Sequence, residues 1–370
     1  MIMSKITMKN RQKWGVGLLA AGLLMGGGVL PVHTSFAAPA VKNPSKADAV
    51  AVLKWNGALT QQTGIVRNGQ VFVPVTFLRD FVKLPVTYSQ KDSAYTIGKG
   101  SAQTKLLVSP YGVSITVNNF FINEYEGLNV NNRLYVPLGL LTDYMGYKGD
   151  WNAPSGRLNL MVSPQNALEI TTVNYAKGSE DEGAVINLDY PQVSGLANAD
   201  VQQKINAALK QSAMRFAAGA EEDIAGRDQQ TPPYEYDAGY VVTYNQNGVL
   251  SLVLNQYGYT GGAHGMSYRQ AFTFSLKDGK QLLLRDLFGA NPNYKKDLNT
   301  KLSQRFKADE SYFGGFTGLN TEQSYYLKDG KVVIFFQLYE YTPYAAGFPE
   351  FAFTFKELLP DGSSPFSALK

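Results

Sequence analysis

Cysteine is absent from all 370 residues, and histidine occurs only as His33 and His264. Without thiols no disulfide braces the fold, and thiolate nucleophiles and cysteine-ligated metal centres are excluded. A chain of this length buries enough apolar surface to stand without covalent staples. Copper and zinc sites draw on several imidazoles or thiolates, so with His264 the one histidine beyond residue 37, no metal and no other cofactor is expected. Two catalytic signatures are also missing. No Gly-x-Ser-x-Gly nucleophile elbow occurs, and Gly261, Gly262 and Gly265 are not followed by the Gly-Lys-Ser/Thr of a phosphate loop.

Long apolar runs are scarce as well. The one that stands out, Val16 to Leu30, follows Lys5, Lys9, Arg11 and Lys13 and precedes Ser35-Phe36-Ala37, the order of parts in an export signal. Residues 1–37 are therefore expected to be a signal peptide cleaved before Ala38; left uncleaved, the run would be the chain's one contact with a membrane. No cysteine follows it to carry a lipid. Setting the signal aside removes the net charge: 34 basic side chains stand against 30 acidic ones, and four of the basic ones lie in the signal. Nucleic acid is not an expected partner. The remaining charge is uneven, with 12 basic and 7 acidic side chains over residues 38–163 but 18 and 23 over 164–370. An acidic second half would steer a cationic partner, and a basic first half would lie against anionic wall polymers.

An internal repeat organises the first half. Asn68-Gly69-Gln70-Val71-Phe72-Val73-Pro74 through Phe81 aligns without a gap to Asn131-Asn132-Arg133-Leu134-Tyr135-Val136-Pro137 through Tyr144, at an offset of 63 that persists over 68–97 and 131–160. Each copy reads as a turn, a strand stopped by proline, a short helix and a strand pair. Phe77, Leu78 and Phe81, and Leu140, Leu141 and Tyr144, recur at helical spacing and are expected in the core. This pattern resembles the copper amine oxidase N-terminal-like domain that bacteria attach to exported proteins. Residues 46–163 are assigned to it. The resemblance implies a small mixed α/β module for attachment or protein contact; with no histidine in the region, it implies neither copper nor amine oxidation.

Beyond residues 163–168 the pattern changes. A strand from Ala184 is expected to end at Pro191. Asn198 or Asp200 is the candidate N-cap for a helix burying Val201, Ile205, Leu209 and Phe216. Asn247-Gly248 signals a tight turn between two strands, and Lys277-Asp278-Gly279-Lys280 a second hairpin, Arg269 to Leu284. Tyr294, Leu298, Leu302 and Phe306 mark another helix. Strands near 323–327, 332–337 and 350–355 close the chain, the first two joined at Lys328-Asp329-Gly330-Lys331. Helices interleaved with antiparallel hairpins predict an α+β fold.

Three motifs carry a second resemblance: Asp189-Tyr190-Pro191-Gln192-Val193-Ser194-Gly195-Leu196 with Lys204-Ile205-Asn206, Tyr259-Thr260-Gly261-Gly262-Ala263-His264-Gly265, and Tyr339-Glu340-Tyr341-Thr342-Pro343-Tyr344-Ala345-Ala346-Gly347. Residues 166–260 resemble the domain that precedes the catalytic region of some peptidoglycan deacetylases. Residues 261–358 resemble its companion in the exterior part of RsiV-type anti-sigma factors, which sense lysozyme. The resemblance implies a lysozyme-type protein or cell-wall glycan as partner. The 15 residues ahead of the apolar run are expected to be too few for a sigma-binding segment.

Tyr257, Tyr259 and His264 in one loop, and Tyr341, Pro343 and Tyr344 in another, are the candidate ligand-binding residues. Tyrosine supplies large contact area at low entropic cost, with a hydroxyl to spare. Catalysis is not expected. His264 as a base needs an orienting carboxylate and a nucleophile, and spacing selects neither Asp237 nor Asp278. The clusters Glu180-Asp181-Glu182 and Glu221-Glu222-Asp223 hold adjacent acids, which do not face each other across a substrate. The reading is a secreted or wall-associated, non-enzymatic binding protein of a Gram-positive envelope. A structural wall protein without a discrete ligand and a peptidoglycan-active hydrolase are the alternatives.

Overall fold

A computed structural model describes residues 48–360 and 363–366, so the expected signal segment lies outside the described residues. Among those described, no helix is long and apolar enough to cross a membrane. The architecture is α+β, with four sheets and a few helices.

The repeat folds about a local pseudo-two-fold. Strands Gln70–Pro74 and Arg133–Pro137 pair antiparallel with Val73 opposite Val136, the two positions that correspond at the offset of 63. Each strand stops at its proline, which has no amide for the ladder but a φ suited to starting the helices Val75–Asp80 and Leu138–Tyr144. Phe77, Leu78, Leu140, Leu141 and Tyr144 are buried as the spacing predicts, and Phe81 packs against them half-buried. The duplication reaches further back than the aligned motif. A Cβ on Gly64 would collide with the carbonyl oxygen of Phe72, and one on Gly127 would press on the corresponding oxygen of Tyr135 (3.2 Å) and collide with the Val113 side chain. The last strand of the second copy, Arg157–Val162, closes the seven-stranded sheet by pairing parallel with Ala49–Trp55.

The second half is built on five strands in the order Glu169–Ser179, Ala184–Ser194, Tyr234–Gln246, Val249–Tyr259, Met266–Ser275. The helix Ala199–Ala225 crosses between the second and third, which are parallel. Its N-cap is Asn198, whose Oδ1 accepts from the amides of Asp200 (3.0 Å) and Val201 (3.2 Å). Val201, Ile205 and Leu209 are fully covered by the sheet, each stabilising by roughly 1.5–3 kcal/mol relative to exposure; Phe216 is half-buried beyond them. Ala184–Ser194 does not end at Pro191 but runs through it. Its parallel pairing with Tyr234–Gln246 ends at Leu188, so Pro191 leaves no ladder bond unmade on that side. The hairpin expected over 269–284 is reduced to one bridge, Phe274 with Gln281, and the chain turns into the helix Leu284–Phe288. A three-stranded sheet, Tyr325–Lys328, Lys331–Phe335 and Glu350–Thr354, carries the helix Tyr294–Lys307. The expected boundary at residue 260 falls within the hairpin linking Val249–Tyr259 to Met266–Ser275.

One apolar core joins the halves. Ile122, Tyr144 and their neighbours in the first half pack with Val241, Val253, Ala271, Tyr326 and Phe335 of the second. At its rim Lys328, 5% exposed, sits over the rings of Tyr144 (4.9 Å), Tyr326 (5.8 Å) and Tyr125 (6.0 Å). Its ammonium pairs with Glu124 and stands 3.7 Å from Asp143. Those carboxylates also accept from Tyr144 (2.5 Å) and Tyr125 (2.8 Å). Burial first, then the charge of Glu124, holds the Tyr144 hydroxyl far above its usual pKa, so it remains a donor.

Candidate functional site

The loop after Tyr259 and the segment 337–347 meet at one end of the five-stranded sheet. His264 stacks on Tyr344 with centroids 4.2 Å apart, and Tyr339 completes a three-ring group at 6.5 Å from His264 and 5.6 Å from Tyr344. Nδ1 of His264 lies 2.8 Å from the Gly265 carbonyl, which assigns the proton to that nitrogen. Nε2 then faces the Tyr339 hydroxyl at 3.4 Å. Gly265 rests flat on the Tyr257 ring, where any Cβ would overlap it.

The second segment is held by its own short bonds. The Gln337 amide donates to Glu340 Oε2 (2.9 Å), and the Glu340 amide returns to the Gln337 carbonyl (3.2 Å). The turn puts Tyr339 at φ 62°, a region costly for a bulky side chain, and leaves it 50% exposed beside His264. Pro343 is exposed and starts the turn Tyr344–Ala346, which aims the Tyr344 ring at the histidine.

Beneath the rings runs an acidic face. Glu235 pairs with Tyr259 and Asp237 with Tyr257 across the third and fourth strands; Asn187 pairs with Asp237 on the other side. Side chains alternate along a strand, so Glu235 and Asp237 share the face away from the long helix, which takes Tyr236 and Tyr240. Asn174 donates to both Asn187 (2.8 Å) and Asp189 (2.8 Å), tying the row together. Burial, then the hydrogen bond and charge of Glu235, push the Asp237 carboxyl up to about 6. The Tyr257 hydroxyl is raised by burial, then by Glu235 and Tyr344, which places the rings and the acids in one electrostatic neighbourhood.

The candidate residues fare unequally. His264, Tyr344 and Pro343 lie in the loops as expected. Tyr257 and Tyr259 belong to the strand rather than the loop, because Val249–Tyr259 pairs out to its last residue. Tyr257 supports the loop from below; Tyr259 lies opposite Glu235, outside the ring stack. Tyr341 is not part of the patch. It packs half-buried against the core, on Phe306 (5.1 Å), Phe336 (5.2 Å) and Phe316 (5.6 Å). Tyr339 is legible as part of its motif but stands outside the candidate set, Asp237 enters only as a partner for His264, and Glu235 is passed over. The acid clusters serve the fold: Glu221 accepts from Tyr175 (2.7 Å) and pairs with Lys177 (3.0 Å), and Asp223 accepts from Tyr236 (3.0 Å). Among the described residues no group of three or more His, Asp or Glu is placed to hold a metal ion.

Three stretches of the chain match known families in order. Residues 54–160 match the copper amine oxidase N-terminal domain, 178–267 the deacetylase PdaC family, and 285–356 a protein family of unknown function, DUF3298. The peptidoglycan-N-acetylmuramic acid deacetylase PdaC of Bacillus subtilis is 23% identical over 148 residues, 37% of this chain and 32% of that protein. The chain thus spans about a third of the length of that curated relative. Among solved structures, a DUF3298 member from Bacteroides fragilis (18% identity, TM-score 0.42) covers 55% of this chain with 98% of its own length. One from Pseudomonas aeruginosa (19%, TM-score 0.39) covers 54% with 98% of its own length.

Proposed function

We propose that this chain, in which a copper amine oxidase N-terminal domain, a PdaC domain and a DUF3298 domain follow one another, is an exported envelope protein that binds a cationic protein of the lysozyme type. The observation that carries this reading is the stack of exposed His264 and Tyr339 on half-buried Tyr344, seated through Gly265 and Tyr257 on the strand pair that carries Glu235 and Asp237. Aromatic anchors supply contact area, and neighbouring acids steer a basic partner and fix its orientation. The backbone strain at Tyr339 supports the same reading, since it presents a ring to solvent where a relaxed turn would not.

The protein acts by binding rather than catalysis. The imidazole is engaged with a backbone carbonyl and two rings, an arrangement that suits a contact residue and leaves it without a carboxylate orienter. Residues 1–37 serve as the export signal and the destination is a Gram-positive envelope.

Calorimetric titration with a C-type lysozyme at low and high salt tests this. The expected result is affinity on the order of micromolar or tighter that weakens as salt rises. Absent binding, or affinity indifferent to salt, counts against the proposal.

A further inference from the structure

Glu169–Ser179 is an outer strand of the five-stranded sheet, paired with Ala184–Ser194 in unbroken antiparallel register from Glu169 opposite Ser194 to Ser179 opposite Ala184. In such a pair, alternate residues turn their amides and carbonyls toward the neighbour or away from it. Pro191 has no amide to give, so Thr172, which lies opposite it, is turned away. Val193, opposite Ile170, agrees: its amide (2.7 Å) and carbonyl (2.9 Å) are both held by the Asn206 side chain, on the side remote from Glu169–Ser179. Ile170, Thr172, Asn174 and Ala176 therefore point their backbone groups out of the sheet, and among the described residues nothing bonds them.

Edges are ordinarily blunted by proline, a bulge, charge or a covering segment. The opposite edge, Met266–Ser275, is covered at Arg269 by the Gln337 side chain and at Thr273 and Ser275 by the returning chain. Glu169–Ser179 carries none of these devices. It has no proline and no register shift, residues 171–174 are exposed, and no charge stands between Glu169 and Lys177. The turn Gly100–Ala102 lies near this strand and near Tyr234–Gln246 alike, which puts it over a face of the sheet and not beside the edge.

We propose that this edge pairs antiparallel with the same edge of a second copy of the chain, about a two-fold axis at Val173, so that two five-stranded sheets become one. Charge selects the register. With Val173 opposite itself, Glu169 falls opposite the partner's Lys177, and the symmetry repeats the pair at the other end. A slide of two residues, the smallest that keeps the outward groups facing one another, loses both ion pairs. In the matched register Ile170 meets the partner's Ala176 and Thr172 the partner's Asn174, which exchange about eight backbone hydrogen bonds in all. Lys177 already holds Glu221 at 3.0 Å, and its ammonium then lies between two carboxylates. An unrelated extended peptide would gain the backbone bonds but not the matched ends, which is why a second copy is the occupant. The edge is separate from the His264 patch, and the proposal stands independently of it.

The chain has no cysteine, so Val173→Cys gives the whole protein a single thiol. Across the two-fold the paired Cα atoms would lie about 4.5 Å apart, within disulfide reach, whereas those of Thr171→Cys would lie about 13 Å apart. Mild oxidation is expected to link Val173→Cys into a dimer and to leave Thr171→Cys unlinked. In analytical ultracentrifugation the parent should dimerise reversibly with a Kd on the order of 10 micromolar. Glu169→Lys and Lys177→Glu should each associate several-fold more weakly alone, yet an equal mixture should recover the parent's affinity, because opposite charges face each other again. That recovery separates a lost contact from a misfolded variant. A parent that stays monomeric up to millimolar concentration, equal cross-linking at 171 and 173, or a mixture no better than its components would overturn the proposal.

Discussion

Lys328 and His264 each sit among tyrosines and near carboxylates, yet one constellation is sealed and the other open. Around Lys328 the ammonium and the Asp143 carboxylate are nearly buried between the first and second halves of the chain, Glu124 closes the rim from the solvent side, and each carboxylate has a partner. Around His264 the Tyr339 ring stands half in solvent with the acids nearby, one of which is pushed toward neutrality by burial and then by its neighbour. The same residue types therefore do different work. In the closed cluster, removing Lys328 strands the nearly buried Asp143 carboxylate, so the cost falls on the fold. In the open one the unpaired surface is available to a partner, so the cost of a substitution falls on binding.

Lys328→Ala breaks the closed cluster and has the largest expected effect, a loss of about 3–5 kcal/mol from leaving the nearly buried Asp143 carboxylate uncompensated. Denaturant unfolding measures it; a loss under about 1 kcal/mol would mean that water reaches the cluster. Tyr341→Ala follows, at about 3 kcal/mol for a ring removed from a packed core. That outcome separates Tyr341 from the patch, and a melting temperature equal to the parent's would return it there.

Tyr344→Ala sharpens the contrast from the other side. Affinity for lysozyme should drop by about 2 kcal/mol, roughly thirtyfold, with a stability change of about 1 kcal/mol or less. The smallest effect is expected at Asp237. Its folded pKa of about 6 lies above the unfolded value near 3.8, so its contribution to stability is fully present below 3.8 and is lost as pH rises through 6. Asp237→Asn should therefore gain on the order of 1 kcal/mol at pH 7.5, allowing for solvent screening, and nothing at pH 3.5. An equal gain at both pH values would show that the substitution acts through packing instead.

How much of this was legible in the sequence differs between local and distant features. The strand-proline-helix units and the Asn198 cap were readable because proline, cap chemistry and helical spacing act within a few residues. The passage of a strand through Pro191 was not, because it depends on where the pairing with the parallel strand ends. The Lys328 cluster looked like an ordinary solvated turn, since its partner Glu124 is 204 residues away in the chain. Tyr341 and Tyr344 are indistinguishable by type, and only the fold packs one against the core and the other on His264. Glu235 and Asp237 did leave a signal. Tyr234-Glu235-Tyr236-Asp237 alternates ring and acid with the period of a strand, which puts both acids on one face.

The most direct measurement is amide hydrogen exchange of the whole protein with and without a C-type lysozyme. The account predicts added protection at 257–265 and 339–347 and none around 122–145, where the Lys328 cluster is already closed. Protection confined to the first half, or spread evenly along the chain, would contradict it.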